Sequence, residues 1–231
     1  MQKLELIGSG NANTDDYIAV VALDQPEQAN ALDKEFIVDM TKKVKSLHND
    51  SHCRAMLIYG EGKHFCSGAH LKWMQESAQL DLDENINEAK LLIKLYESID
   101  KAPFPTMAVV RGAAYGGGVG LAAACDCVIA AQNSEFCLSE VKLGLIPAVI
   151  MPYIKRRMQY GQLRRYTCNA AKIDAMQAVH IGLADIYVDL RNLHKVVTDE
   201  LNQFLLGGPQ AQHFVKEFIN ELHSENDQQS K

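Results

Sequence analysis

Two glycine-containing turns in the sequence have the residue types needed to bind a carbonyl oxygen through backbone N–H groups. The first lies in HFCSGAHLKWM, residues 64–74, and the second in YGGGVGLAAAC, residues 115–125. Each turn precedes a predicted helix, and the first N–H groups of a helix have no intrahelical acceptor. One N–H from each turn could therefore hold a single oxygen as it becomes an oxyanion. Alternatively, the glycines only permit tight turns and close packing.

The elements in front of the two turns indicate that the turns meet. AMLIYG (55–60) precedes the first turn and TMAVV (106–110) precedes the second, and both are apolar runs typical of buried strands. The carboxyl ends of neighbouring parallel strands share one edge of a sheet, which is the usual ligand site of α/β folds. The pattern therefore predicts one crevice lined by both turns.

Glu140 is a glutamate in a predicted loop with apolar neighbours, and its side chain has two interpretations. It follows the predicted short strand 136–138, and Leu138, Val141 and Leu143 lie close to it in the sequence. Apolar neighbours remove water from a carboxylate and raise its proton affinity, which suits acid–base chemistry near neutral pH. Alternatively, it is an ordinary solvated surface charge.

Composition narrows the classes of function. The chain has 231 residues, 47% of them hydrophobic, and a formal net charge of -6, so nucleic acid is not an expected partner. No apolar run is long enough to span a bilayer and the N-terminus lacks a signal-peptide core, which predicts a cytoplasmic protein without a membrane partner. The six cysteines and eight histidines show no metal-ligand spacing, so no metal is expected.

Strand patterns alternate with helical patterns up to about residue 150, and helices dominate afterwards, which predicts an α/β core with a helical C-terminal part. Asp33 is the predicted N-cap of the first long helix. The remaining predicted strands are 17–23, 127–131 and 186–188, and the remaining predicted helices are 82–102, 149–160, 174–181, 192–205 and 209–223. The polar residues 224–231 are predicted to be a disordered tail.

Four segments, taken in order and spacing, resemble the crotonase superfamily, also called the enoyl-CoA hydratase/isomerase family, from about residue 17 to 215. They are DQPEQANAL (24–32), GKHFCSGAHLKWM (62–74), GAAYGGGVGLAAACD (112–126) and SEFCLSEVKLGLIPAVIMPYI (134–154). The resemblance implies a crotonase-like α/β fold of repeated ββα units over 1–190. It also implies a helical region with a polar tail over 191–231, and trimers that often pair into hexamers.

The same resemblance assigns the site residues. The N–H groups of Ala69 and Gly117 would hold the thioester oxygen of an acyl-CoA, and Glu140 would be the acid/base. Coenzyme A belongs to the substrate, so no separate cofactor is expected. The residues implied in substrate binding are Ser67, Gly68, Ala69, His70, Leu71, Lys72, Trp73, Tyr115, Gly116 and Gly117. Within the family, GGGVGL and SEVKLGLIPAVI look most like bacterial methylglutaconyl-CoA hydratases of leucine breakdown.

Two residues depart from the family pattern. Common hydratases of the family have a second glutamate where this chain has Gly120, and most members have aspartate where this chain has His70. With Glu140 alone, the enzyme either adds water across the C2=C3 bond of an enoyl-CoA or moves the double bond as an isomerase. His70 is either a solvated or helix-capping residue, or it partly replaces the absent acid.

The remaining alternative is a noncatalytic protein that binds acyl-CoA or RNA. It is motivated by Gly120, by a C-terminal region shorter than is usual for the family, and by one basic cluster that could bind phosphate. The cluster comprises Lys155, Arg156, Arg157, Arg164 and Arg165. Such a cluster is also typical of a solvated helix face or a subunit contact.

Overall fold

The structure of the chain is a computed structural model. It describes residues 2–5, 15–77 and 79–229, and it describes side chains for residues 15–77 and 79–222. The strands of these residues are β1 (Gln2–Glu5), β2 (Tyr17–Leu23), β3 (Cys53–Gly60), β4 (Thr106–Val110), β5 (Ala113–Tyr115), β6 (Cys127–Ala131), β7 (Glu135–Cys137), β8 (Ile173–Asp174) and β9 (Ile186–Val188). The α-helices are α1 (Lys34–Leu47), α2 (Leu71–Ser77), α3 (Leu82–Asp100), α4 (Gly117–Ala123), α5 (Met151–Arg157), α6 (Tyr160–Asn169), α7 (Ala175–His180), α8 (Leu193–Leu206) and α9 (Pro209–Gln229).

The larger sheet has the strand order β1-β2-β3-β4-β6-β9, and all its pairs are parallel except β1 with β2. A smaller sheet has the order β5-β7-β8, with β5 and β7 parallel. The chain passes repeatedly from the larger sheet to the smaller layer and then into a helix. The run β4–β5–α4 is such a ββα unit, and the predicted α/β fold of repeated ββα units is confirmed.

The inner strands β2, β3, β4 and β6 of the larger sheet bury both faces, as is typical of parallel strands covered by helices. In β4, Ala108 and Val110 pack into the core that contains α1, α3 and α4, whereas Met107 and Val109 pack into a second core beneath α8. Side chains of a strand alternate between the two faces, so one apolar run supplies both cores.

Helix starts follow the capping chemistry of the sequence. The Asp33 carboxylate accepts the Phe36 N–H at 2.8 Å, which confirms Asp33 as the N-cap of α1. A reciprocal pair between Asp81 and Glu84 forms a capping box at the start of α3. α3 in turn packs against α4, the helix that follows the glycine triplet.

The sequence predictions differ from the structure in several places. The helix predicted over 149–160 corresponds to α5, which ends before the extended residues Met158 and Gln159, and α6 after them was not predicted. The short strands β1, β5 and β8 were not predicted. The polar residues 224–229, predicted to be disordered, continue α9 as far as Gln229.

The predicted boundary between core and C-terminal region, near residue 190, falls at a short 3-10 turn, Leu190–Asn192, that precedes α8. The end of α8 is attached to the sheet by Arg54, whose buried guanidinium donates to the carbonyls of Leu205 and Gly207 and pairs with Asp16 at 3.0 Å. The division into two regions stays a prediction.

Candidate active site

The two turns lie side by side and are joined through their backbones. The Cys66 N–H donates to the Ala113 carbonyl at 3.0 Å, and the Tyr115 N–H donates to the Cys66 carbonyl at 2.9 Å. Gly118 lies so close to the first turn that a Cβ on it would be 2.8 Å from the Cβ of Cys66. Real Cβ atoms essentially never approach that closely, so glycine at 118 is what lets the turns meet.

The Ala69 N–H points away from the chain segment that supports its turn. Leu32 N–H donates to the Gly68 carbonyl at 2.7 Å, and His70 N–H donates to the Leu32 carbonyl at 2.8 Å. In a parallel bridge, the residue between two bonded groups directs its own N–H to the opposite side, so the Ala69 N–H faces away from Leu32. Within residues 15–77 and 79–222, no backbone carbonyl accepts the Ala69 N–H. The Ala69 N–H is thus a free hydrogen-bond donor in a turn that is held by its backbone bonds to Leu32.

The Gly117 N–H is the second donor. Gly117 is the first residue of α4, and Gly116 before it has φ +47°, a left-handed conformation that favours glycine. The Gly116 carbonyl accepts the N–H groups of Val119 at 2.9 Å and Gly120 at 3.2 Å. Hydrogen bonds at the carbonyl end of a peptide unit polarise its N–H, so the Gly117 N–H becomes a stronger donor.

Glu140 lies against the second turn, at the start of a 3-10 turn over Glu140–Leu143. A Cβ on Gly116 would be 3.2 Å from Glu140 Oε1, so the carboxylate lies beside the residue that precedes the Gly117 N–H. Its Oε2 is buried and has no hydrogen-bond partner among the described residues. Burial raises the pKa of Glu140 above its usual range, so the group is more easily protonated than an exposed glutamate.

The position of the absent second acid is filled by apolar and aromatic side chains. A Cβ on Gly120 would overlap Ile150 Cγ2, would lie 2.9 Å from Ile150 Cβ, and would lie 3.2 Å from Tyr96 Cζ. A glutamate at 120 therefore has no room in this structure. The absence of a carboxylate at position 120 therefore follows from the packing as well as from the sequence.

His70 lies at the start of α2, where its ring nitrogen Nδ1 accepts the Lys72 N–H at 3.2 Å. This hydrogen bond gives His70 the helix-capping role, which is one of its two interpretations from the sequence. The role of His70 as a water ligand or proton relay stays a prediction.

The other predicted substrate-binding residues are spread around the turns. Trp73 packs against the core and donates from Nε1 to Glu88 at 2.9 Å, which joins α2 to α3. The Tyr115 hydroxyl donates to Glu135, which also pairs with Lys172, so the Tyr115 side chain is held by β7. The side chains of Leu71 and Lys72 are exposed, and Ser67 Oγ lies 3.5 Å from the Gln28 carbonyl. Their binding roles stay predictions.

Sequence reasoning missed the side chains behind the glycine turns. Leu32 Cδ1 lies 3.1 Å from the place of a Cβ on Gly117, and Tyr96 and Ile150 cover Gly120. Tyr96 was only visible as one member of the apolar face of α3, next to Leu95. Their closeness to the turns depends on how α3 packs on α4, which the sequence pattern does not specify.

The basic cluster is partly neutralised. Arg156 pairs with Asp100 at 2.7 Å, and Arg157 pairs with Asp185 at 3.0 Å. Arg157 also donates to the carbonyls of Ala123 and Cys125 at the end of α4. Two of the five cations therefore serve structural contacts, which weakens the phosphate-binding interpretation.

Within the described residues, no three or more His, Cys, Asp or Glu side chains are grouped so that they could hold a metal ion. None of the helices in that part of the chain is both long and apolar enough to cross a membrane.

An α/β fold of ββα units with two glycine turns beside one buried carboxylate defines a crotonase-like protein. The chain belongs to the enoyl-CoA hydratase/isomerase family, whose model matches residues 13–231, and the predicted crotonase-superfamily membership is confirmed.

Relatives and solved structures agree with this assignment. An enoyl-CoA hydratase of Alternaria alternata is 34% identical over 208 residues, which are 89% of this chain and 67% of that protein. A short-chain-enoyl-CoA hydratase of Clostridium acetobutylicum is 29% identical over 88% of this chain and 77% of its own length. The crystal structure of an enoyl-CoA hydratase from Shewanella pealeana has a TM-score of 0.85 and 34% identity, covering 93% of this chain and 80% of that one.

The packing at Gly120 predicts a stability effect. The substitution Gly120→Ala should lower the free energy of unfolding by about 1–3 kcal/mol, because the new methyl group overpacks Ile150 and Tyr96. Urea denaturation measures the change. The matched control is Gly161→Ala in α6, where an added Cβ meets open space, and which should be neutral or stabilising. Equal effects of the two substitutions would contradict the packing.

Burial of Glu140 predicts a pH-dependent stability. Since the pKa of Glu140 is raised in the folded state, the wild-type protein loses stability as pH rises above about 4.3, the unfolded value, until Glu140 is ionised. The substitution Glu140→Gln should therefore raise the free energy of unfolding at pH 7 and change it little at pH 4. Denaturation curves at both pH values measure this, and a destabilised Glu140→Gln protein at pH 7 would contradict a buried carboxylate.

Proposed function

We propose that the chain is an enoyl-CoA hydratase that adds water across the C2=C3 double bond of an acyl-CoA thioester. The observation that carries the proposal is the joint placement of two free N–H donors and one half-buried carboxylate. Ala69 and Gly117 supply the donors, and Glu140 supplies an Oε2 that is buried without a partner. The names of the relatives support the same reaction.

The proposed mechanism uses Glu140 twice. The thioester oxygen accepts the Ala69 and Gly117 N–H groups, which draws electrons from the double bond and makes C3 electrophilic. The ionised Glu140 takes a proton from water while the oxygen of that water bonds to C3, leaving an enolate. The protonated Glu140 then gives its proton to C2, which restores the thioester carbonyl and the carboxylate. The raised pKa suits a group that must both accept and donate.

The isomerase is the second candidate, and the filled site at Gly120 favours it. A glutamate that carries a proton from C2 to C4, or back, needs no second acid to position a water. The packing of Ile150 and Tyr96 against Gly120 leaves Glu140 without such a partner. The two candidates share the N–H donors and differ in whether water enters the product.

We also propose a small unsaturated acyl group as substrate, with 3-methylglutaconyl-CoA as the specific candidate. The likeness of GGGVGL and SEVKLGLIPAVI to methylglutaconyl-CoA hydratases supports it.

The assay that tests the function follows crotonyl-CoA, 3-methylglutaconyl-CoA and a 3-enoyl-CoA in water enriched in oxygen-18. Hydration lowers the absorbance of a conjugated thioester and adds labelled oxygen to the product, whereas isomerisation of the 3-enoyl-CoA raises the absorbance without label. We expect label in the product, and a kcat about a hundred- to ten-thousandfold lower in Glu140→Gln. The control Glu97→Gln, at a partly exposed residue of α3 paired with Lys101, should keep the wild-type kcat.

Three results would count against the hydratase. Turnover of the 3-enoyl-CoA alone would favour the isomerase, and binding of all three thioesters without turnover would favour the noncatalytic protein. A normal kcat in Glu140→Gln would remove Glu140 from the mechanism.

We propose in addition that the chain forms trimers or dimers of trimers. An apolar stripe on α9 supports self-association, because its large side chains are exposed on one helical face. The stripe consists of Phe214, Val215, Phe218, Ile219 and Leu222. Light scattering of the purified chain should give three or six times the 25.6 kDa of one chain, and a mass of 25.6 kDa would contradict the assembly.

A further inference from the structure

Tyr96 is a buried phenol whose hydroxyl reaches the glycine triplet from the neighbouring helix. It lies in α3, has no exposed surface, and donates from its hydroxyl to the Gly117 carbonyl at 3.0 Å. Its ring packs edge-on against the ring of Tyr153, with 5.6 Å between the ring centroids. The phenol is therefore held on one side by an aromatic ring and directed on the other at the turn.

The face of α4 that receives Tyr96 consists of Gly117 and Gly120, one helical turn apart. The Tyr96 hydroxyl lies 3.0 Å from the place of a Cβ on Gly117, and its Cζ lies 3.2 Å from that on Gly120. Any side chain at either position would displace the phenol. The fourth glycine of the segment thus makes room for an aromatic ring, at the position where an acid would otherwise project.

A run of three glycines needs an outside restraint if its N–H groups are to keep one direction. Glycine has the widest backbone freedom of all residues, and Gly116, Gly117 and Gly118 have no side chains to fix their peptide planes. The backbone on either side is fixed: the Gly116 N–H donates to the Cys137 carbonyl at 2.9 Å, and Gly118 packs on Cys66. The peptide unit before Gly117, which carries the Gly117 N–H, is held by the bonds of Val119 and Gly120 to the Gly116 carbonyl. The Tyr96 hydroxyl holds the unit after it, through the Gly117 carbonyl.

The environment keeps the Tyr96 hydroxyl protonated. Burial, and to a smaller extent the charges of Cys66 and Glu140, raise the pKa of Tyr96 far above its usual range. The hydroxyl is thus a hydrogen-bond donor at neutral pH.

We propose that Tyr96 is a positioning residue: its bond to the Gly117 carbonyl holds the peptide unit after Gly117, and this fixes the Gly117 α-carbon beside the N–H that is directed toward the thioester oxygen. The inference rests on the proposed function, since it assigns Tyr96 to the same oxyanion-binding turn. The proposal also accounts for Gly120. Common hydratases of the family carry a second glutamate on this side of α4, whereas here the same side receives the Tyr96 phenol, which stabilises the turn that carries the Gly117 N–H.

The variant Tyr96→Phe tests the proposal, because it removes the hydroxyl and keeps the ring that fills the space beside Gly120. The matched control is Tyr153→Phe, which removes the hydroxyl of the adjacent buried ring. Two quantities are measured beside thermal unfolding: kcat and KM with the substrate that the wild type turns over, and the absorbance maximum of bound 4-(dimethylamino)cinnamoyl-CoA. That probe shifts to longer wavelength when hydrogen bonds polarise its carbonyl, whether or not it reacts.

We expect Tyr96→Phe to have a kcat about five- to tenfold lower, as loss of one neutral hydrogen bond implies, with an unchanged KM. The red shift of the bound probe should shrink in Tyr96→Phe and stay at the wild-type value in Tyr153→Phe. A merely structural role would lower the unfolding temperature and leave kcat and the red shift as in the wild type, and that result would overturn the proposal.

The probe separates this inference from the function beneath it. If the wild type binds the probe with a red shift and Tyr96→Phe gives the same shift at full occupancy, Tyr96 does not position the donor. If the wild type binds no probe, or binds it without a shift, the oxyanion-binding turns are wrong and the inference is overturned with them.

Discussion

The structure of the site depends on the close approach of two backbone turns, held together by hydrogen bonds between their own peptide groups. The pairing of Cys66 with Ala113 and Tyr115 joins the turns, and the absence of a Cβ at Gly118 lets them come that near. Backbone donors cannot change rotamer and cannot be titrated, so their direction is set by the fold alone. The larger sheet, α1 and α4 contribute to the site because they fix the positions at which these two turns end.

A single carboxylate beside such donors sets the chemistry. Ile150 and Tyr96 take the space that a side chain at Gly120 would need, so in the proposed mechanism Glu140 carries out both proton transfers. Burial raises the pKa of Glu140, which makes it a weaker acid and a stronger base than an exposed glutamate. In the proposed hydration this one group both accepts and donates the proton, and the phenol that we propose as a positioning residue occupies the place of a second acid.

Much of the fold was predictable, because apolar runs such as 106–110 and the Asp33 cap carry local signals that tertiary packing did not override. The crotonase-like assignment came from the motifs around Ala69 and Gly117. α6 was missed because only Leu163 and Tyr166 of its ten residues are buried, which leaves little apolar periodicity to recognise. Tyr96 and Ile150 were missed for a different reason: their roles arise from contacts between helices distant in sequence, and an apolar pattern shows only that a side chain is buried.

The central claim is that one thioester oxygen binds the N–H groups of both turns. A crystal structure with a bound, unreactive acyl-CoA thioester measures this directly. We predict that the thioester oxygen lies about 2.7–3.1 Å from both the Ala69 and Gly117 nitrogens, with the Glu140 carboxylate over C2 and C3 of the acyl group. A thioester oxygen bound to side chains or water, with either N–H left empty, would contradict the account.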